Sequence, residues 1–251
     1  MDAALSWFAG RARWLGYRSY YRLAAVNYAH QWLATENRTP AGCFRSYELL
    51  NRHGSDPMLA ELDAHCGPEA VIYDIGANVG VYSLALAADS PDRRLLAVEP
   101  APEIRSQLRT NVAHNALDDR IEVLGCGVGE ANCTRTFYIS SYPECSAFDR
   151  ESATRWEASL AGTCEVPVRR VDTLVESHPA PDAIKIDVEG AAPAVLRGAR
   201  DTLRTHQPTL FVEVHEEGLA ADTGEQVRGV LETAGYTITE RADYWRCEPP
   251  D

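Results

Sequence analysis

The chain has 251 residues, 45% of them hydrophobic and 24% charged, and a formal net charge of −13 at pH 7. These are ordinary globular values, and the length suits one sizeable α/β core with an appendage. The acidic balance argues against a nucleic-acid partner, because non-specific attraction to phosphates needs clustered Lys and Arg.

Lysine occurs once, at Lys185, and the seven cysteines (Cys43, Cys66, Cys126, Cys133, Cys145, Cys164 and Cys247) are odd in number, with no C-x-x-C pair. Neither a disulfide framework nor a zinc site fits that spacing. With no apolar stretch near the roughly 18 residues of a spanning helix and no leader pattern, the expectation is a cytoplasmic protein without a transmembrane segment.

Residues 1–40 stand apart in composition. Five arginines (Arg11, Arg13, Arg18, Arg22 and Arg38) oppose Asp2 and Glu36, which makes this segment +3 and leaves −16 for the rest. Aromatic residues interleave with the arginines, among them Trp7, Phe8, Trp14, Tyr20, Tyr21, Tyr28 and Trp32. Such a segment either caps the acidic core or lies on a membrane or partner surface. Further on, Asp56-Pro57 reads as the N-cap and first turn of a helix leading into the sheet.

From Ala70 onward, apolar strand-like runs alternate with helical patterns. Strands are expected at Val71 to Asp74, Leu95 to Val98, Ile121 to Leu124, Ala183 to Asp187 and Leu210 to Val214, with helices near 79–88, 101–115, 191–204 and 224–234. Right-handed crossovers of this kind give a parallel sheet covered on both faces. Tyr236 to Glu240 and Tyr244 to Cys247 are too close together for a crossover and read as a closing antiparallel hairpin.

The first strand feeds Asp74-Ile-Gly76-Ala77-Asn78-Val-Gly80, and Glu99 closes the second. Glycines there are expected to clear space for a ligand, and an acidic residue ending the next strand accepts the two hydroxyls of a ribose. Asp74 replaces the first glycine of a dinucleotide fingerprint. A carboxylate there repels a diphosphate and suits an α-ammonium, which favours S-adenosylmethionine over NAD.

Between Cys126 and Asp182 the alternation breaks. Thr134 to Ile139 and Cys164 to Val171 read as extra strands, with Ser140 to Ala147 as a polar loop. An insertion over 127–181 would sit at the carboxyl edge of the sheet, either as a substrate lid or as a peripheral ribbon. The fourth and fifth core strands end Lys185-Ile-Asp187-Val-Glu189 and Glu213-Val-His215. Side chains two apart share a strand face, so the two groups should meet beside the glycine loop.

Asp74-Ile-Gly-Ala-Asn-Val-Gly80, Val98-Glu99-Pro100, Val171-Asp-Thr-Leu174, Lys185-Ile-Asp-Val-Glu-Gly190 and Val195-Leu-Arg-Gly198 together resemble the FkbM-type S-adenosylmethionine-dependent methyltransferases over roughly Ala70 to His215. The resemblance implies a class I, Rossmann-like α/β fold with a seven-stranded sheet; with the C-terminal antiparallel hairpin read above, the mostly parallel sheet is expected over 67–251, and a helical extension, which the resemblance does not cover, over 1–66. The resemblance also implies O-methylation of a hydroxyl on a sugar, glycan or secondary metabolite. One departure is Ala192, where the family commonly has an acid.

The resemblance places S-adenosylmethionine against Asp74, Gly76, Ala77, Asn78 and Gly80, its ribose on Glu99, and its adenine beside Cys126 and Gly127, with Asp187 shared between cofactor and chemistry. A hydroxyl is a weak acid and needs a base. His215 has the suitable range, with Glu213 or Asp187 to orient it, and Lys185 and Glu189 complete the catalytic group. In the less favoured variant Asp187, Glu189 and Glu213 hold a divalent ion. The rival readings are a non-catalytic nucleoside-binding module and an NAD-dependent enzyme; oligomeric state is not readable.

Overall fold

The computed structural model describes residue 16 and residues 19–155, 158–214 and 223–250. Helix α1 (19–30) leads to a hairpin of β1 (Thr35–Thr39) and β2 (Gly42–Ser46), then α2 (Pro57–His65). The alternating core follows: β3 (Val71–Ile75), α3 (Val81–Asp89), β4 (Arg94–Val98), α4 (Pro102–His114) and β5 (Ile121–Leu124). An excursion of β6 (Gly127–Val128), β7 (Cys133–Ser140), α5 (Arg150–Ala153), β8 (Leu160–Arg169) and α6 (Val171–Val175) intervenes. The core resumes with β9 (Ala183–Ile186), α7 (Ala192–Arg197), α8 (Arg200–Thr205), β10 (Thr209–Glu213), α9 (Thr223–Thr233), β11 (Thr237–Glu240) and β12 (Tyr244–Glu248).

The main sheet has seven strands in the order β11-β12-β10-β9-β3-β4-β5. Every pair from β10 to β5 is parallel, and β12 runs antiparallel to both of its neighbours. The expected parallel sheet with a closing hairpin is therefore present. Chain order reverses beside β3, which puts a ligand crevice at the carboxyl ends of β3 and β9.

Alternate residues of each core strand feed opposite faces. Ile72 joins Leu59, Leu84 and Leu108 on one side, while Tyr73 and Ile75 join Ile184, Leu196 and Val227 on the other. Burial on both faces explains why these strands read as continuous apolar runs. The exceptions are Asp74 and Lys185, which are register partners on adjacent strands.

Several local expectations change. Asp56 does cap α2, accepting a hydrogen bond from the Leu59 N–H, with Pro57 in the first turn. The segment expected to be helical over 1–66, however, contains the β1–β2 hairpin, whose polar strands TENRT and GCFRS show no apolar alternation. The helix expected over 191–204 is divided at Gly198 into α7 and α8, and there a Cβ would lie 2.0 Å from the Gly129 carbonyl oxygen. Val171 begins α6 and does not end a strand. The expected polar loop over 140–147 holds a short 3-10 turn at Pro143–Cys145, with Tyr142, Cys145 and Ala147 buried.

Of the basic aromatic segment, residues 1–15, 17 and 18 lie outside the described residues. The described part of α1 packs on the core. Asn27 donates to the Leu33 and Tyr47 carbonyls at 2.8 and 2.7 Å, and Asn111 donates to the Tyr28 hydroxyl at 2.9 Å. Among the described residues, no helix is long and apolar enough to cross a membrane.

Candidate active site at the sheet edge

The turn after β3 is built by backbone geometry. Gly76 and Gly80 have φ values of 81° and 92°, and Asn78 shares that left-handed region at 51°. The space a side chain would take at Gly76 is filled by the chain itself: a Cβ would lie 1.8 Å from the Asp187 carbonyl oxygen. At Gly80 it would lie 2.2 Å from Leu108 Cδ1. The expectation that these glycines clear room for a ligand is corrected; they let the turn close on Asp187, just past β9, and on α4.

Asp74 is corrected as well. Its side chain is 1% exposed, with Oδ2 accepting from Ser83 Oγ at 2.6 Å and Oδ1 at 3.3 Å from Lys185 Nζ. The ammonium it holds belongs to this chain. Lys185 also donates to the Gly76 carbonyl and to Asp187 Oδ2, each at 3.2 Å, and lies 4.8 Å from the centre of the Tyr82 ring. Burial opposes its charge, but Asp74, Asp187 and Glu213 outweigh that and hold its pKa above the ordinary lysine value. Lys185 thus ties the turn, β3 and β9 together.

Glu99 lines a cavity of about 920 Å³. Its Oε2 accepts from the Asn78 N–H at 3.0 Å and its Oε1 from the Ala101 N–H at 2.8 Å. Each carboxylate oxygen keeps a lone pair for a further donor. Burial pushes its pKa up to about 7, against the lowering effect of these backbone donors and of Lys185 and Arg105.

Gly76, Ala77, Asn78, Cys126, Gly127, Lys185, Asp187, Glu189 and Glu213 line the same cavity, whereas Asp74 and Gly80 do not. Gly127 runs against Phe148, whose ring a Cβ would meet at 2.3 Å.

Glu189 is brought to the cavity but not to Lys185. Strand β9 stops at Ile186, the chain turns at Gly190 with φ of 72°, and Glu189 pairs with Arg155. Two-residue alternation therefore does not continue that far. The pairings of Glu189 with Arg155 and of Asp187 with Lys185 also disfavour the three-carboxylate ion site. Among the described residues, no group of three or more His, Cys, Asp and Glu side chains is arranged to hold a metal ion. His215 lies outside the described residues.

Sequence reasoning missed the far wall of the cavity. Tyr21 of α1, Glu48 and Arg52 after β2, and Tyr142 and Glu144 after β7 line it. Tyr21 donates to Glu144, Arg52 pairs with Glu144 at 2.6 Å, and the Tyr21 and Tyr142 rings lie 5.9 Å apart. No spacing in the chain links these three segments.

A model of the family described as "Methyltransferase FkbM domain" matches residues 74–238. The chain belongs to that family. Two relatives of similar length are the 31-O-demethyl-FK506 methyltransferase FkbM of Streptomyces tacrolimicus, 27% identical over 70% of this chain and 76% of the relative, and the methyltransferase sdnD of Sordaria araneosa, 28% identical over 69% and 76%. The AMB antimetabolite synthetase AmbE of Pseudomonas aeruginosa is 27% identical over 70% of this chain, which spans only 10% of that protein's length. In the crystal structure of the methyltransferase FkbM of Methylobacillus flagellatus, the fold matches with a TM-score of 0.52 at 20% identity, over 72% of this chain and 44% of the other. The FkbM match begins at Asp74, so the wall built by residues 21–52 stands outside it.

Proposed function

We propose that this chain catalyses transfer of a methyl group from S-adenosylmethionine to a hydroxyl oxygen of a sugar, glycan or secondary metabolite. The observation that carries the reading is Glu99: a buried carboxylate in the cavity wall, held by two backbone N–H groups with acceptor capacity left on both oxygens. That is the chemistry a ribose diol needs. Small-molecule pockets run to about 300–1,000 Å³, so a cavity of about 920 Å³ has room for the cofactor and a small acceptor together. Fit to the cofactor thus rests on Glu99 and on volume, not on Asp74.

When bound, S-adenosylmethionine supplies a methyl group already activated on a sulfonium. The chain's own residues have simpler tasks. Glu99 accepts the ribose hydroxyls, Cys126 and Gly127 border the base with Phe148, and Asp187 offers a carboxylate to the amino-acid end. Lys185 orients Asp187 and the Gly76 carbonyl. The acceptor hydroxyl must lose its proton, and we assign that step to His215, two residues past Glu213. The name of the Streptomyces relative, a 31-O-demethyl-FK506 methyltransferase, supports a hydroxyl acceptor.

Calorimetry with S-adenosylmethionine, S-adenosylhomocysteine and NAD tests the reading. Saturable binding of the first two that Glu99→Gln weakens is expected; binding of NAD alone would overturn it. Transfer of a labelled methyl to oxygen would then establish the reaction.

A further inference from the structure

His53 lies between β2 and α2, on a segment that the family match over 74–238 does not reach. Its backbone N–H donates to Asn51 Oδ1 at 3.1 Å, and its ring Nδ1 lies 2.8 Å from Asp56 Oδ2. The Tyr82 hydroxyl donates to the same Oδ2 at 2.8 Å, while Oδ1 accepts from the Leu59 N–H at 3.0 Å. Burial opposes the charge on Asp56, but the hydrogen bonds from His53, Leu59 and Tyr82 outweigh it and hold the carboxyl below its ordinary pKa. An ionised carboxylate only accepts, so Nδ1 carries the proton, and in the neutral ring Nε2 carries the lone pair.

Helix α2 is capped without His53, because Asp56 serves the Leu59 N–H directly. His53 instead lines the cavity, with 35% of its side chain exposed. Among the described residues Nε2 makes no hydrogen bond. It is the polar atom this ring leaves to the cavity.

Its place is next to the amino-acid end of the proposed cofactor. The Tyr82 ring centre lies 6.0 Å from that of His53 and 4.8 Å from Lys185 Nζ, which donates to Asp187 at 3.2 Å. His53, Tyr82, Asp187 and Glu213 line the cavity together. Asp187 is the carboxylate assigned to the amino-acid end, so His53 stands one aromatic ring from the group beside the sulfonium, where an acceptor must approach. Its sequence neighbour Arg52, with Glu48 and Glu144, lines the same cavity and makes this wall polar.

We propose that His53 Nε2, with the ring held by Asp56, binds a second hydroxyl of the methyl acceptor, one that is not methylated, and so selects a polyhydroxylated acceptor such as a sugar ring. The inference rests on the proposed transfer to a hydroxyl and leaves the proton of the reacting oxygen to His215. No bond is made or broken at His53. An acceptor without the second hydroxyl leaves Nε2 desolvated and unpaired, which is how a site built for a hydroxyl rejects an analogue lacking it.

Saturation-transfer NMR on the full chain, saturated with S-adenosylhomocysteine, tests it with methyl glucoside and its monodeoxy analogues as probes. Wild-type protein binds methyl glucoside, and one analogue about three- to tenfold more weakly. His53→Phe lowers affinity for methyl glucoside by that same factor and binds the discriminated analogue as wild type does, because the hydroxyl and Nε2 act as one pair. His53→Gln, whose amide oxygen reaches the place of Nε2, recovers part of the loss. Affinity for S-adenosylhomocysteine and melting temperature stay unchanged in both variants.

Undiminished binding of methyl glucoside by His53→Phe would overturn the proposal, as would equal binding of every analogue by wild type. A variant that melts lower and loses all probes and S-adenosylhomocysteine alike would put His53 in the fold and overturn it too. Wild type that binds S-adenosylhomocysteine but none of the sugars ends this inference alone. Wild type that does not bind S-adenosylhomocysteine ends the proposed transfer, and this inference with it.

Discussion

Lys185 Nζ lies 3.3 Å from Asp74 Oδ1, and the two side chains are 3% and 1% exposed. Two charges this deep are tolerable only together, since removing one leaves the other desolvated and unpaired. Breaking such a pair typically costs about 3–5 kcal/mol. Lys185→Met should therefore lower the unfolding free energy by about that amount in a urea titration, and adding Asp74→Asn should recover part of it. A Lys185→Met protein of wild-type stability that has lost turnover would instead put the ammonium in the chemistry.

Glu99 gives a pH dependence with two opposite signs. Burial raises its pKa from 4.5 to about 7 in the folded chain, so the folded state binds this proton more tightly than the unfolded one. Its contribution to stability is greatest below the unfolded value and is lost as pH rises through about 7. Cofactor binding runs the other way, because the ionised carboxylate is the better acceptor for two hydroxyls. Affinity for S-adenosylhomocysteine, measured by calorimetry, should rise with pH across that range. Glu99→Gln should flatten the profile and weaken binding roughly ten- to a hundredfold. An affinity independent of both pH and the substitution would remove Glu99 from the site.

Gly76 and Gly127 should respond differently to alanine. At Gly76 the added carbon meets the Asp187 backbone at 1.8 Å, with φ of 81°, so no flexible side chain can move aside. Gly76→Ala is expected to be poorly folded, with lost thermal cooperativity. At Gly127 the neighbour is the Phe148 ring, a side chain that can rotate. Gly127→Ala should fold and bind S-adenosylhomocysteine more weakly, because the ring moves within the cavity wall.

His215→Ala should keep cofactor affinity and lose about 10²- to 10⁴-fold in methyl transfer, the usual range for removing a general base. The wild-type rate should climb through the histidine range, and the variant's should not. Near wild-type turnover by His215→Ala on its own acceptor would end that assignment.

The parallel core was legible because strands buried on both faces must be apolar throughout, and Val71 to Ile75 and Ala183 to Ile186 are so apart from Asp74 and Lys185. The place of Glu99 in the cavity wall was legible for a similar reason: an acid directly after the buried run Leu95 to Val98 needs polar partners, here the Asn78 and Ala101 N–H groups. The β1–β2 hairpin was not, since Glu36, Arg38 and Arg45 point outward and the inward positions include Asn37 and Ser46. Asp74 was read as open to a ligand because its partner, Lys185, is 111 positions away; only the β3–β9 register joins them. Glu189 was grouped with Lys185 on strand alternation, and the turn at Gly190 and the distant Arg155 decide otherwise.

Strand β12 lies between β10 and β11, so β11, although earlier in the chain, joins the sheet through β12. During synthesis β11 emerges with no ladder to enter, and the apolar strand β10 keeps an open edge, until Tyr244–Glu248 threads between them. An open apolar edge is the place where a nascent chain pairs with the wrong neighbour. Arg241 and Arg246 both reach Glu61 on α2, at 3.0 and 3.1 Å and across 180 and 185 positions of sequence. The strand that closes the sheet last in chain order is thus tied to a helix near the start of the fold, so completing the sheet also fastens α2 to its far edge.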